Sequence, residues 1–304
     1  MLKIGPYQLT TIETGRFALD GGAMFGIVPK TLWNRSNPAD ELNRIDMNLR
    51  ALLIQTTGKK ILIDCGMGLK WADKLSKIYK IDHEKWSLNK SLSDKGLRPE
   101  EITDVILTHL HFDHAGGLTR REDPSNPDSK LLPVFPNAEI YVQKRNWDLA
   151  WDPSEKDQAS YLTENYSIYK DSKKLHLVET PSIEPSGITP FDEPTLDETE
   201  LFPGVSVFVS HGHTLGMQIV KVSDGKSHLY YCADLIPTSS HVRIPWIMAY
   251  DCYPMYILKE KKKFLERAKN EGAYLFYEHC PLMHASKIGV DPKGNYEAIE
   301  PLDL

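Results

Sequence analysis

Between the apolar run Val105-Ile106-Leu107 and the glycine pair Gly116-Gly117, the chain reads Thr108-His109-Leu110-His111-Phe112-Asp113-His114-Ala115. Three imidazoles and a carboxylate within six positions constrain the fold more than any other stretch, because so dense a set of ligating groups has to be directed at metal. In an extended or turning segment alternate side chains share a face, so His109 and His111 suit one ion while Asp113 and His114 turn toward another. The expectation is a strand that runs into half of a two-metal centre, with Gly116 and Gly117 making a tight turn into a helix.

Further candidate ligands lie far downstream, each where an apolar run stops. His213 stands in Ser210-His211-Gly212-His213-Thr214-Leu215-Gly216, after Val205 to Ser210. Asp234 follows Tyr231-Cys232-Ala233, and His279 follows Phe276-Tyr277-Glu278. Residues at one edge of packed sheets can meet in a single cleft although distant in sequence, and five strand ends carry such groups once Asp64, after Ile61 to Ile63, is included. His211 reads either as a donor supporting a ligand or as an ordinary strand-end histidine.

Period and turn chemistry give the surrounding elements. Ala51 to Thr56 and Ile61 to Asp64 form a hairpin across Thr57-Gly58-Lys59-Lys60, and Met217 to Val222 with His228 to Cys232 form another across Ser223-Asp224-Gly225. Strands are also expected at Asp104 to Thr108, Glu139 to Val142, Val205 to Ser210 and Tyr274 to Tyr277. Helices are expected at Trp86 to Lys95, Lys144 to Trp151 and Tyr256 to Asn270, the last ended by Gly272. Residues 181 to 204, with five prolines, read as a surface loop.

Composition removes several classes. The 304 residues are 41% hydrophobic and 26% charged, enough to bury a core without disulfides. A net charge of −6 leaves no footprint for nucleic acid. The basic cluster Lys259 to Lys263 lies among Ile257, Leu258, Phe264, Leu265 and Ala268, and reads as the solvated face of an amphipathic helix. Cys65, Cys232, Cys252 and Cys280 have no C-x-x-C spacing and read as reduced thiols. With no apolar run at Met1 to Pro6 and none long enough to span a bilayer, no membrane partner and a cytoplasmic location are expected.

H-x-H-x-D-H, then G-H-T-x-G, then an aspartate and a final histidine in that order resembles the signature of the metallo-β-lactamase-fold hydrolases. The resemblance covers most of the chain and implies an α/β fold, a four-layer αββα sandwich with mixed sheets, as one domain over residues 1–304. It implies that His109, His111 and His213 hold a first metal and that Asp113, His114 and His279 hold a second. Asp234 would bridge both, and Asp64 would support the site without binding metal.

More narrowly, Asp20-Gly21-Gly22-Ala23-Met24-Phe25-Gly26 with Val28-Pro29-Lys30, and Asp234-Leu235-Ile236-Pro237-Thr238, are similar to the subgroup of quorum-quenching N-acyl-homoserine lactonases and methyl-parathion hydrolases. Imidazole and carboxylate ligands favour two zinc ions, with manganese, iron or cobalt as alternatives. Such a pair generates a hydroxide nucleophile at neutral pH, so no serine or cysteine nucleophile is required. Catalysis would rest on Asp234 and Asp113, with Asp234 relaying a proton to the leaving alkoxide.

A small-molecule lactone or carboxylic ester is the expected substrate, with Met24, Phe25, Trp33, Trp246, Met248 and Tyr250 available to line an acyl or aryl pocket. The Gly21-Gly22 region reads as a pocket lid or a homodimer contact. Two other readings stay open. Phosphotriester hydrolysis would use the same centre. A non-catalytic metal-binding protein would need a closed, often thiolate-rich site, which this ligand set does not resemble.

Overall fold

The computed structural model describes residues 1–185 and 193–304. Its strands are β1 (Leu2–Ile4), β2 (Tyr7–Asp20), β3 (Arg44–Thr56), β4 (Lys59–Ile63), β5 (Asp104–Ile106), β6 (Thr119–Arg121), β7 (Leu131–Pro133) and β8 (Glu139–Gln143). Then follow β9 (Leu175–Val178), β10 (Thr199–Phe202), β11 (Val205–Ser210), β12 (Met217–Ser223), β13 (His228–Tyr231), β14 (Tyr274–Phe276), β15 (Ala285–Val290) and β16 (Tyr296–Leu302). The α-helices are α1 (Gly21–Phe25), α2 (Lys30–Trp33), α3 (Asp73–Ile78), α4 (Leu88–Asp94), α5 (Phe112–Ala115), α6 (Lys144–Ala150) and α7 (Pro254–Asn270). No described helix is long and apolar enough to cross a membrane.

The strands make two seven-stranded sheets, in the orders β1-β2-β3-β4-β5-β8-β9 and β10 through β16, with β6 and β7 paired separately. Both large sheets are mixed. In the first, β3 and β4 are antiparallel while β4, β5, β8 and β9 run parallel. In the second, β13 and β14 form a parallel pair among antiparallel neighbours.

The chain divides into two compact units. The unit of residues 6–17 and 48–178 is built on aliphatic strands flanked by helices. Leu53, Leu62, Val105, Ile140 and Val142 from the sheet pack with Trp147 of α6 and with Tyr161 and Tyr166. Strands buried on both faces have no polar side to alternate, which is why Ile61 to Ile63 of β4 and Val105-Ile106 of β5 read as continuous apolar runs.

The unit of residues 1–5, 18–47 and 179–304 carries the second sheet and α7. Val207 and Val209 of β11, Ile219 of β12 and Tyr230 of β13 are buried, and Phe264 of α7 meets Phe208 and Tyr230 with ring centroids 5.7 and 5.1 Å apart. The helix ends at Asn270, two residues before Gly272, which takes a left-handed backbone with φ of 60°.

Two sequence expectations change here. The lysines of α7 are not all solvated: Lys262 and Lys263 are exposed, but Lys261 is 1% exposed, as is its neighbour Glu260. The helical period explains it, because Ile257, Lys261, Phe264 and Ala268 are spaced by four, three and four residues and share the buried stripe. The expected loop over 181–204 contains a strand, β10, paired to β11. Residues 186–192 of that stretch lie outside the described residues. All four cysteines are free thiols, with Cys65, Cys232 and Cys280 buried.

Candidate metal centre

In the unit of residues 6–17 and 48–178, the histidine cluster leaves the end of β5 and turns at once into the short helix α5. The rings of His109 and His111 lie 4.5 Å apart between centroids, and those of His109 and His114 lie 4.0 Å apart. Asp113 Oδ1 is 3.8 Å from His114 Nε2. All four side chains are buried.

Asp64 organises this group from the end of β4. Its Oδ1 accepts the Thr108 backbone N–H at 2.7 Å, and its Oδ2 accepts the Thr108 hydroxyl at 2.7 Å and stands 3.0 Å from His114 Nδ1. Asp64 itself has φ of 56°, a left-handed backbone that a non-glycine residue adopts at some cost. Asn146 of α6 accepts the Leu110 N–H, between the two histidines, and donates to the Tyr161 hydroxyl. The Tyr161 ring meets that of His111 edge-on, 4.7 Å between centroids.

The glycine pair does a different job from the tight turn expected of it. Gly116 has an ordinary helical backbone, with φ of −61° and ψ of −32°. What requires glycine is proximity: a Cβ on Gly117 would sit 2.1 Å from the Cys65 carbonyl oxygen. The histidine segment is thereby held against the backbone that follows Asp64.

In the unit of residues 1–5, 18–47 and 179–304, three single residues come together. Asp234 lies past the end of β13, directly after Ala233, which has φ of 45°. Its Oδ2 is 3.2 Å from His213 Nε2, and its Oδ1 is 3.3 Å from His279 Nε2. His213 Nδ1 stands 3.0 Å from Asp251 Oδ1, and Asp251 Oδ2 accepts the Met248 N–H. Burial raises the Asp251 carboxyl above the usual carboxylate range, against the lowering effect of His213.

Residues 50–120 match the metallo-beta-lactamase superfamily. The chain is 29% identical over 168 residues to the N-acyl homoserine lactonase AiiB of Agrobacterium fabrum, a stretch that covers 47% of this chain and 60% of that protein. It therefore spans less than two thirds of the curated relative it matches.

A probable metal-dependent hydrolase from Staphylococcus aureus superposes with a TM-score of 0.82 at 29% identity, over 99% of this chain and 100% of the other. The fold is that of the metallo-beta-lactamase superfamily. AidC, a dizinc quorum-quenching lactonase, shares the fold at 23% identity, with a TM-score of 0.76 over 100% of this chain and 97% of that one.

The candidate ligand residues fit divalent metal on the chemistry of their donors. Where a carboxylate accepts the Nδ1–H of a histidine, the ring is fixed in the tautomer that presents the Nε2 lone pair, and its basicity rises. Asp64 does this for His114, and Asp251 does it for His213. The set is imidazole and carboxylate throughout, which suits zinc, manganese, iron or cobalt and does not choose among them.

Of the expected pocket side chains, Met24, Phe25 and Trp33 are at most 1% exposed and pack into the core of their own unit. Phe25 stacks on Trp33 and on His241 and meets Trp246 edge-on. Asp20 caps α1 by accepting the Ala23 N–H, so the Gly21-Gly22 segment is the start of a short helix. Met248 is 4% exposed, Trp246 is half-buried and Tyr250 is 39% exposed.

His211 accepts the Gly216 N–H at Nδ1 and lies 3.0 Å from the Ser182 hydroxyl through Nε2, so it ties the loop around His213 together. Glu278 accepts the Tyr231 hydroxyl at 2.5 Å. Sequence reasoning missed Asp251, Asn146, Glu260 and Lys261. A lysine on the apolar stripe of α7 was a readable signal; Asp251, in an irregular segment with no period, offered none.

Proposed function

We propose that the chain, as one domain over residues 1–304, is a dinuclear metal-dependent hydrolase that opens a lactone or a carboxylic ester. His109, His111 and His213 would hold one ion, Asp113, His114 and His279 the other, and Asp234 both. The observation that carries this reading is the placement of Asp234, whose two oxygens lie one against His213 and one against His279, the histidines assigned to different ions. AiiB and AidC, named as lactonases, support the substrate class, and imidazole-rich ligation supports zinc.

When bound, two divalent ions would supply an acidified water as nucleophile and polarise the scissile carbonyl. The protein's own groups do the rest. Asp64 and Asp251 hold the His114 and His213 rings in one tautomer, which fixes the direction of each Nε2. Asp234 is the carboxylate placed to pass a proton to the departing alkoxide, since its two oxygens lie 3.2 and 3.3 Å from the Nε2 atoms of His213 and His279. Trp246 and Tyr250 offer aromatic surface to an acyl or aryl group, backed by buried Met248, Met24 and Phe25.

The test is metal content and hydrolysis of lactones of graded chain length, beside an aryl phosphotriester, for the wild type and for Asp113→Asn and Asp234→Asn. Asp113→Asn is expected to lose one equivalent of metal. Asp234→Asn is expected to lower kcat more than it raises KM. Full activity and full metal in both variants would sink the assignment, and turnover of the phosphotriester alone would move the substrate class.

A further inference from the structure

Two adjacent side chains of α7 carry opposite charge, are fully buried and reach the two sides of the loop system that presents His213. Glu260 takes the donors: its Oε1 accepts the His211 N–H at 2.6 Å, and its Oε2 accepts the Gly212 N–H at 2.9 Å and the Ser210 hydroxyl at 2.8 Å. Lys261 takes the acceptors, donating to the carbonyls of Arg243, Ile244 and Trp246 at 3.0, 3.3 and 2.7 Å. Five residues after Trp246 stands Asp251, the carboxylate on His213 Nδ1.

The peptide of His213 is fixed from the other side as well. The carbonyls of Gly212 and His213 accept the N–H groups of Tyr253 and Cys252, immediately before α7 begins. The helix backbone is so close that a Cβ on Gly212 would lie 2.4 Å from Ile257 Cβ and 2.7 Å from Glu260 Oε2. A bland role for these charges, holding the fold together, would not require both to converge on one histidine. A neutral residue of the same shape would do that with less desolvation.

Resting on the metal-centre reading above, we propose that Glu260 and Lys261 are positioning residues for the metal-binding imidazole of His213. Glu260 sets the backbone entering the histidine, and Lys261 sets the loop whose Asp251 orients its ring. Each side chain meets three polar partners, those of Glu260 on the segment that enters His213 and those of Lys261 on the segment that leads to Asp251. Neither group touches the reacting atoms.

The experiment compares wild type, Glu260→Gln, Lys261→Met and, on the exposed face of the same helix, Lys262→Met. Each is stripped with a chelator and reloaded with zinc or cobalt(II). Thermal unfolding of the metal-free protein, zinc affinity by competition with a chromophoric chelator, and the visible spectrum of the cobalt form are recorded. Glu260→Gln and Lys261→Met are expected to weaken zinc about tenfold or more and to alter the cobalt bands, while Lys262→Met matches wild type.

Wild-type zinc affinity and cobalt spectrum in both variants, whatever their unfolding temperatures, would overturn the inference alone. A wild type that holds no metal would overturn the metal centre and this inference with it. Should the two variants fail to fold, Ser210→Ala, which removes one hydrogen bond to Glu260, carries the same readouts: weakened zinc supports the inference, and unchanged zinc overturns it.

Discussion

The two groups of candidate ligands are built on opposite plans. Four candidate ligands in the unit of residues 6–17 and 48–178 come from one six-residue stretch, braced by a single aspartate and by the neutral Asn146. The three candidate ligands of the other unit come from separate segments, His213 among them braced by Asp251 and by a buried Glu260 and Lys261 that reach in from a helix. A contiguous cluster inherits its geometry from one turn of chain. A dispersed set has to be held by long-range polar contacts, and here those contacts are charged.

That contrast can be broken first at the two aspartates. Asp64→Ala and Asp251→Ala are each expected to reduce metal affinity by about 10–100-fold, the range for partners of ligating histidines. Asp64 is expected to cost more, because it also holds Thr108 twice. Isothermal titration of the metal-free variants ranks them, and a larger loss for Asp251→Ala would reverse the comparison.

Next is Gly212→Ala, where the new methyl would lie 2.4 and 2.6 Å from Cβ and Cα of Ile257, atoms fixed by the helix, as well as 2.7 Å from Glu260 Oε2. Overpacking of this kind costs about 1–3 kcal/mol, read as a lower denaturation midpoint with an unchanged m-value. An unchanged midpoint would show that α7 and the His213 loop are less tightly apposed.

The third test is a pH titration of stability. Burial lowers the His241 imidazole to about 3, its Nε2 donating to the Met24 carbonyl and its Nδ1 facing the Thr238 hydroxyl. The folded value lies below the ordinary 6.5, so as pH falls below that point the unfolded chain takes up a proton that the folded chain refuses. Stability is therefore complete above 6.5 and is lost toward pH 3, by about 1.4 kcal/mol per pH unit from this group. His241→Gln should flatten that part of the curve; a wild-type curve in the variant would remove His241 as the cause.

The smallest effect is expected at Lys262→Met. Exposed on the same helix as Lys261, it should change stability by less than about 0.5 kcal/mol.

The sequence made the contiguous half readable because ligand density is a local property, and strand ends β5, β11 and β13 lay near their expected places for the same reason. His213, Asp234 and His279 were assigned as ligands through motif order, since nothing local distinguishes a ligating histidine from a structural one. The bracing groups were harder. Lys261 was assigned to a solvated face because it stands among lysines, although its spacing from Ile257 and Phe264 puts it on the buried stripe. Phe25 and Met24 were read as pocket candidates, since an apolar side chain looks the same in sequence whether a ligand or Trp33 covers it.

Residues 243–251 carry two responsibilities on one short length of chain. Their carbonyls are clamped by Lys261 and their last residue orients His213, while Trp246 and Tyr250 on the same segment reach solvent. On the proposed function, selection for a new substrate acting on those aromatic side chains would thus be read out in metal retention as well. Specificity in such a chain is freer to drift on segments that do not also brace a ligand.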